Sequence, residues 1–332
     1  MSNISFGVLS FNCLFYVIKM FQDVIISEKN GIKGSVLFKS NPPFFIAHRG
    51  ASSLAPENTL LSFQRAFFLG ARYWELDVQL TRDAQVVVFH DQTLERTTNV
   101  KQVYPERIHC ELAQFSYVEL QCLDCSSWFF QQDAKKTTQG CLTPQTIPLL
   151  RDVLLLAKSY GVGVNVEIKD LSSIWDDDFV VKKVLDVIFD LEMETDVLIS
   201  SFYLKYLKIV KTLAPQIATA VLWSGQHPNP LDLTLELGAM AYHTNVLPDF
   251  RTLQRFSNKG LYCLVFTINS LTRTREIFTK GGSGIFTDVI QETKNWTVQL
   301  FQKHEPQKNF LPDQNYDYLA LRRTKKRKII RT

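Results

Sequence analysis

Nine short apolar runs lie between residues 44 and 288 of this 332-residue chain, and amphipathic stretches separate most of them. Short apolar runs are typical of buried strands, whereas apolar residues with a period near 3.6 are typical of helices that pack on a sheet. Their alternation along the chain predicts an α/β fold. The candidate strands are residues 44–48, 72–79, 86–90, 163–169, 196–201, 218–223, 239–244, 262–268 and 284–288.

One connection is too short for a parallel arrangement. Only Leu80 and residues 81–85 separate the second and third candidate strands. A parallel crossover needs about a dozen residues or more, so these two strands should form a hairpin. Eight strands remain, which favours a TIM (β/α)8 barrel with residues 93–146 as a small insertion on its top face, after the hairpin. A doubly wound open sheet is the alternative, but no glycine-rich phosphate loop follows the first strand.

The hairpin turn predicts which residues of the two strands face each other. If Asp83 and Ala84 form a two-residue turn, Asp77 lies opposite His90. Such a turn prefers glycine where φ is positive, so Ala84 weakens this register and leaves room for a shift of one residue.

Acidic residues occupy one face of two strands that are otherwise apolar. Glu75 and Asp77 alternate with apolar residues in the second strand, as Glu167 and Lys169 do in the fourth. In a barrel this face points inward or towards the C-terminal mouth, so the three carboxylates should converge there. Three oxygen donors suit Mg²⁺ or Ca²⁺ better than zinc. The alternative is that the acids are simply paired with Lys169 and Arg49.

Two histidines end predicted strands and each precedes a charged residue, since Arg49 follows His48 and Asp91 follows His90. Histidine exchanges a proton near neutral pH, and arginine presents a planar fork that matches phosphate oxygens. Together with the three acids, these residues suit general acid and base catalysis on a metal-bound phosphodiester.

A series of motifs between residues 44 and 290 resembles, in order, those of the glycerophosphodiester phosphodiesterase family. The motifs are HRGASSLAPENT, ELDVQLTRDAQVVVFHDQTLERTTN, IPLLRDVL, VEIK, the SF pair at residues 201–202, VFTIN and GIFTD. The spacing of HRG, PENT, E-x-D and HD is specific, whereas the later motifs are individually weak. The resemblance implies a TIM barrel with a small insertion and a divalent cation, Mg²⁺ or Ca²⁺, at its mouth.

The resemblance also implies a role for each matching residue. It makes His48 and His90 the acid and base, and it makes Arg49 a phosphate contact, with Lys169 close to the phosphate. The implied metal ligands are Glu75, Asp77 and Glu167. The residues implied to orient the histidines and the metal ligands are Glu57 and Asp91. The implied reaction begins with attack of the glycerol 2-hydroxyl on phosphorus, which expels the alcohol. Water then opens the resulting cyclic phosphate.

Metal-dependent hydrolysis of glycerophosphodiesters, such as glycerophosphocholine, to glycerol 3-phosphate and an alcohol is therefore the leading hypothesis. A second is lysophospholipase D action on membrane lysolipids, which predicts an apolar groove. A third is a non-catalytic module that binds phosphodiesters; loss of a histidine or an acidic ligand would favour it, and none is lost.

Two extensions flank the predicted barrel of residues 44–300. Residues 1–43 are apolar, but they lack a signal-peptide cleavage site and their apolar run is too short to span a membrane. The six cysteines of the whole chain are sparse, which indicates reduced thiols. We therefore predict a cytoplasmic location.

The N-terminal stretch predicts an interfacial helix or a helix docked on the domain. The basic tail within residues 301–332 favours a solvated terminus, and the alternative is contact with anionic lipid or another acidic partner, so peripheral membrane contact is one open alternative. No part of the chain resembles a nucleic-acid-binding module, so the expected partner is a small-molecule diester.

Overall fold

Nine strands form one sheet in the residues that the computed structural model describes, 42–131 and 144–301. Eight of the nine lie within the predicted runs, and the second extends one residue beyond its run, to Leu80; the ends differ by at most three residues. The strands are β1 (Phe44–Ala47), β2 (Tyr73–Leu80), β3 (Val86–Val88), β4 (Gly163–Ile168), β5 (Val197–Ser201), β6 (Ala218–Trp223), β7 (Ala241–Thr244), β8 (Tyr262–Val265) and β9 (Gly284–Thr287).

Eight of these strands close into a parallel barrel. The order of neighbours is β1-β9-β8-β7-β6-β5-β4-β2, and a parallel pairing of β1 with β2 completes the ring. The ninth strand, β3, is antiparallel to β2, the one described strand with which it pairs, and Val87 also forms an isolated bridge with Leu149. The predicted TIM barrel with a hairpin on its second strand is thus confirmed.

Helices surround the barrel and follow most of its strands. The helix Leu60–Phe68 begins after Thr59, whose hydroxyl oxygen accepts a hydrogen bond from the backbone N–H of Ser62 at 3.2 Å, and such a cap satisfies an otherwise unpaired donor. The other helices that accompany the strands are Leu150–Tyr160, Asp177–Asp190, Leu204–Leu213, Pro230–Glu236, Phe250–Asn258 and Leu271–Thr279. A last helix, Thr293–Phe301, ends the described residues.

Each barrel strand presents one face to the helices and the other to the barrel interior. In β2, Trp74 and Leu76 pack in the main core against helix residues such as Phe63 and Leu154. Tyr73 lies on the opposite face, in an apolar interior cluster with Phe44, Ile46, Leu198, Ala220, Ala241, Leu264 and Phe286. The interior is therefore apolar near the start of β2, and the residues after Tyr73 on the same face lead towards the mouth.

The register of the β2–β3 hairpin differs by one residue from the two-residue turn that the sequence predicts. Val78 faces Val88, and the backbone N–H of Phe89 donates to the Asp77 carbonyl at 2.9 Å, so Asp77 lies opposite Phe89 and not opposite His90. The cause is a three-residue turn, in which Thr81 pairs with Gln85 and Ala84 has a φ of 56°. A residue with positive φ after a tight turn is typical of three-residue hairpin loops.

The insertion follows β3 and forms short helical segments with a small core of their own. This core contains Leu94, Val100, Leu112, Phe115 and Leu120, and it extends to Val87 on β3. Its described segments are the α-helices Val100–Val103, Tyr117–Leu120 and Ser127–Gln131 and the 3₁₀ turns Pro105–Arg107 and Leu112–Gln114.

The proposed domain boundaries remain predictions. Among the described residues, those up to Thr293 belong to one compact unit and those from Lys294 to Phe301 belong to a second. The apolar N-terminal stretch and the basic tail lie outside the described residues, apart from Phe301 and positions 42 and 43. Within the described ranges, no helix combines the length and the apolar character that crossing a membrane requires.

Candidate active site

Three carboxylates meet at the mouth of the barrel. Asp77 on β2 and Glu167 on β4 are partners in the parallel register, and Glu75 lies two residues earlier on the same face of β2. One oxygen from each carboxylate lies within 4.8 Å of the others. The side chains are almost fully buried, with 3%, 1% and 8% of the surface of Glu75, Asp77 and Glu167 exposed. The structure thus places these three residues together, as the strand alternation predicts.

Two cations contact this acidic triad. Lys169 Nζ lies 2.7 Å from an Asp77 oxygen and also contacts Glu167. Arg49 places Nε 3.3 Å from the other Asp77 oxygen, and its backbone N–H donates to Glu75 at 2.9 Å. The guanidinium of Arg49 is shared with Glu57, at 2.8 Å, so the triad has less positive charge available than its three carboxylates require.

The pKa values reflect this imbalance. Burial would raise the pKa of Asp77, but Lys169 and Arg49 hold that pKa well below its ordinary value. Burial and then the neighbouring Asp77 and Glu167 carboxylates raise the pKa of Glu75 well above its ordinary range. Burial and Asp77 likewise raise the pKa of Glu167. The triad therefore has an uncompensated negative charge, which a bound cation would neutralise.

The donor set fits a divalent cation. All three side chains offer carboxylate oxygen, which hard cations prefer, and neither histidine nor thiol sulfur is part of the cluster. The raised pKa of Glu75 is a second sign, because a carboxylate held among like charges is stabilised by a nearby positive ion. Glu75, Asp77 and Glu167 together form a candidate divalent-metal site.

His48 lies beside the triad and is oriented by an aspartate that the sequence analysis did not single out. Its Nδ1 is 2.7 Å from Asp288, which also accepts hydrogen bonds from Ser52 at 3.0 Å and Asn269 at 2.8 Å. Burial would raise the pKa of Asp288, but these bonds, led by that from His48, lower it to about 2. The ionised carboxylate fixes the proton on Nδ1, so that Nε2, 4.0 Å from Glu75, faces the site as an acceptor.

His90 has a similar arrangement on the insertion side. Its Nδ1 lies 2.6 Å from Asp91, and Arg96 binds Asp91 through Nε at 2.5 Å and a terminal nitrogen at 2.9 Å. Arg96 also binds both oxygens of Glu57, at 2.6 and 2.9 Å. Glu57 in turn binds Arg49, which forms an ion pair with Asp77. A continuous series of hydrogen bonds and ion pairs therefore connects His90 to Asp77.

The turn after β1 explains why HRG occurs there. Arg49 and Gly50 both have positive φ, of 55° and 81°, and a Cβ on Gly50 would lie only 2.4 Å from Ser62 Oγ. Only glycine fits at this close approach of the turn to the first helix. The turn directs the backbone N–H of Arg49 at Glu75, and Asn58 in the following loop donates to Asp77 at 2.8 Å.

The predicted site residues His48, Arg49, Glu57, Glu75, Asp77, His90, Asp91, Glu167 and Lys169 therefore lie in one connected group, although their chemical roles remain predictions. Sequence reasoning missed Asp288, Arg96 and Asn58. A carboxylate directly after β9 was a readable signal for Asp288. Nothing local marked Arg96, because its two carboxylate partners lie 5 and 39 residues away along the chain.

A cavity of about 200 Å³, the mouth cavity, opens beside these groups. One side is polar and includes His48, Glu75, His90 and Glu167. The lining also includes the rings of Phe202, Phe266 and Phe286, of which Phe266 contacts the other two; we call these rings the aromatic wall, and Phe202 is 46% exposed. The cavity can thus hold an anionic group among acid–base residues while an apolar surface lies alongside.

Comparison with known proteins identifies the relatives of this chain. The family described as the glycerophosphoryl diester phosphodiesterase family matches residues 48–292. A glycerophosphodiester phosphodiesterase from Bacillus altitudinis is 34% identical over 73% of this chain and 93% of its own length. One from Caldanaerobacter subterraneus subsp. tengcongensis is 31% identical with the same coverage.

Solved structures show the same architecture. A phosphodiesterase from Oleispira antarctica, determined in complex with the product sn-glycerol-3-phosphate, has a TM-score of 0.67 and 28% identity, covering 77% of this chain and 96% of that one. A glycerophosphodiester phosphodiesterase from Agrobacterium tumefaciens, with a TM-score of 0.59 and 24% identity over 75% and 98% of the two chains, supports the fold alone. This chain belongs to the glycerophosphoryl diester phosphodiesterase family and is a glycerophosphodiester phosphodiesterase, a phosphoric diester hydrolase.

Proposed function

We propose that the enzyme hydrolyses water-soluble glycerophosphodiesters, with glycerophosphocholine as a representative substrate, to glycerol 3-phosphate and an alcohol, in a reaction that depends on Mg²⁺ or Ca²⁺. The observation that carries this proposal is the placement of two carboxylate-paired histidines beside a buried triad of acids in one cavity. The complex of the Oleispira antarctica relative with sn-glycerol-3-phosphate supports a glycerol-phosphate product.

Binding comes first. Glu75, Asp77 and Glu167 would hold the cation, which when bound supplies positive charge to the phosphate oxygens. Arg49 and Lys169 line the same cavity and add positive charge on the protein side. These groups hold the diester so that the glycerol 2-hydroxyl and phosphorus are adjacent, which favours intramolecular attack through proximity.

Proton transfer is the task of the two histidines. One removes the proton of the glycerol 2-hydroxyl as this oxygen attacks phosphorus, and the other delivers a proton to the departing alcohol. In the second step the same two histidines exchange protons with the attacking water and with the glycerol 2-oxygen that leaves phosphorus, and the cyclic phosphate opens to glycerol 3-phosphate. Asp288 and Asp91 keep each ring oriented through Nδ1, so that Nε2 is the atom available for exchange.

The direct test is release of glycerol 3-phosphate from glycerophosphocholine by the purified protein, first with EDTA and then with Mg²⁺ or Ca²⁺ restored. We expect release only with the cation, and a loss of at least about 100-fold in kcat in His48→Ala and His90→Ala. Release that is unaffected by EDTA would remove the metal from the proposal. A histidine variant that keeps nearly full kcat would remove that residue from the mechanism.

Lysophospholipase D activity is a second candidate, and the aromatic wall favours it because Phe202 presents a large exposed ring beside the reacting groups. Lysophosphatidylcholine should be assayed alongside glycerophosphocholine. Release of choline from the lysolipid alone would favour this candidate, and a Phe202→Ala variant should then lose lysolipid turnover selectively. Contact with a membrane surface through either terminus, and a cytoplasmic location, stay predictions.

A further inference from the structure

A second cavity of about 410 Å³ adjoins the mouth cavity, and His90 and Lys169 line both. We call it the insertion-side cavity. One of its walls is formed by Gln92 and Glu111 on the insertion side, and the other by the loop after β4, including Asp170 and Ser172. The reacting groups therefore lie at the junction of two spaces with different walls.

Most of the residues that line the insertion-side cavity are polar; the apolar ones are Ala113, Leu171 and Ile174. Besides Gln92 and Glu111, it contains the hydroxyls of Ser172 and Ser173 and the amide of Gln79. None of its lining residues is Phe, Tyr or Trp, whereas the mouth cavity carries three Phe rings. A quaternary ammonium group is recognised best by aromatic faces, so this lining is better suited to a ligand with N–H or O–H donors.

The cavity also has negative charge without a matching cation. Glu111 accepts a hydrogen bond from the Gln92 amide at 2.6 Å, and Asp170 accepts one from the Ser172 backbone N–H at 3.0 Å. In the described part of the chain, no Lys, Arg or His forms an ion pair with either carboxylate. Lys169 is already engaged by Asp77 and Glu167. Two carboxylates thus remain available to a positively charged group that enters from solvent.

We propose that the insertion-side cavity receives the leaving alcohol of the diester, and that Glu111 and Asp170 select an alcohol with a primary ammonium group. This inference rests on the proposed function. If the glycerol 2-hydroxyl attacks phosphorus, the glycerol must lie beside the histidines in the mouth cavity. The alcohol on the other side of phosphorus then extends past His90 and Lys169, where the ammonium group meets both carboxylates and the serine hydroxyls.

The test compares sn-glycero-3-phosphoethanolamine, whose leaving alcohol is cationic, with sn-glycero-3-phosphoglycerol, whose leaving alcohol is neutral. Both yield glycerol 3-phosphate, so one assay reads both. The wild-type enzyme should have the higher kcat/KM on the ethanolamine diester. Each of Glu111→Gln and Asp170→Asn should lower the ratio of the two kcat/KM values by up to about fivefold, as expected for partly exposed charge pairs. The double variant Glu111→Gln with Asp170→Asn should lose the preference, so that its kcat/KM values for the two diesters are close to each other.

A matched pair of substitutions controls for net charge. Glu106 lies in the same insertion, and Asp178 lies in the first turn of the helix Asp177–Asp190, after the Asp170 loop. Both are exposed and line neither cavity. Glu106→Gln with Asp178→Asn removes the same charge and should leave the substrate ratio unchanged. Glutamine and asparagine keep the acceptor oxygens that bind Gln92 and Ser172, so the cavity walls are retained.

Two results would overturn the inference. One is an equal or lower wild-type kcat/KM for the ethanolamine diester, and the other is a preference that survives the double substitution at Glu111 and Asp170. If that double variant does not fold, the salt dependence of the wild-type ratio decides, because a preference based on exposed charges must fall as ionic strength rises. Absence of glycerol 3-phosphate from both diesters would instead contradict the proposed function itself.

Discussion

Arg96 holds two carboxylates with one guanidinium group. It contacts both oxygens of Asp91 and both oxygens of Glu57, at 2.5 to 2.9 Å. Asp91 orients His90, and Glu57 binds Arg49. Arg96 is therefore a positioning residue that couples the orientation of His90 to that of Arg49 without itself reaching the mouth cavity.

We predict that Arg96→Lys lowers kcat/KM about 10- to 100-fold, the usual effect of losing a partner that orients active-site groups. Lysine is a point charge without the planar fork, so it cannot bind both carboxylates in this geometry. The pH profile of kcat/KM should also shift, because the hydrogen bond between Asp91 and His90 is no longer held. Arg151→Lys is the control, since Arg151 forms only an exposed pair with Asp190 at 3.2 Å. A change below twofold with an unaltered pH profile would refute the positioning role.

His243 is a different kind of buried group. It lies on β7, is 1% exposed and contacts the ring of Phe286, but neither of its ring nitrogens has a hydrogen-bond partner among the described residues. Burial lowers the pKa of His243 to about 3 from an ordinary 6.5. The unfolded chain therefore binds a proton at this position more readily than the folded chain does.

A lowered histidine pKa makes folding stability rise with pH between about 3 and 6.5, by up to about 1.4 kcal/mol per pH unit. His243→Leu removes this dependence and the two unpaired nitrogens. Its stability advantage over the wild type should grow by about 1 kcal/mol or more for each unit that the pH falls from 6 to 4. Urea unfolding at several pH values measures this. An advantage that is constant with pH would show that His243 is not neutral in the folded protein. His109→Leu, at an exposed position, provides the control.

At the level of secondary-structure elements, the turn between β1 and the helix Leu60–Phe68 sets the position of Arg49. Gly50 within it has a φ of 81° and contacts Ser62, whereas Gly161, which ends the helix Leu150–Tyr160, has a φ of 62° with open space where a Cβ would lie. The two glycines share a backbone conformation and differ in their surroundings. They can therefore separate conformational strain from steric exclusion.

We predict that Gly161→Ala costs about 1 kcal/mol of unfolding free energy, the cost of a left-handed conformation for alanine. Gly50→Ala should cost about 2 to 4 kcal/mol, because a steric clash adds to the same strain. It should also lower kcat, since the turn carries the backbone N–H that binds Glu75. Denaturant unfolding and a steady-state assay of both variants measure these effects. Equal costs for the two substitutions would show that the first helix moves away from the turn without penalty.

For the molecule as a whole, the barrel and the insertion supply different parts of the site. Barrel strands β2 and β4 supply the acidic triad, and residues at or just after strand ends supply His48, Lys169 and Asp288. The stretch that follows β3 supplies Arg96 and, with Glu111, one wall of the insertion-side cavity. We therefore expect sequence change in the insertion to alter the preferred leaving group without moving the strands that carry the three acids of the candidate metal site.

The alternation in residues 72–80 and the length of the apolar runs were enough to predict nine strands, the barrel and the inward direction of Glu75, Asp77 and Glu167. These features depend on backbone geometry over a few residues, which the local sequence contains. The tertiary structure decided which distant groups meet. Asp288 pairs with His48 across 240 positions of sequence because closure of the barrel brings β9 beside β1.

The register of the hairpin was also decided by the structure, because one added turn residue moved Asp77 from opposite His90 to opposite Phe89. His90 nevertheless reaches the mouth cavity, since it lies beyond the end of β3, where strand alternation no longer fixes the direction of a side chain. The sequence by itself thus determined the fold and the chemical types of the site residues. Their partners depended on barrel closure and on packing of the insertion, because contacts between remote segments leave no periodic trace along the chain.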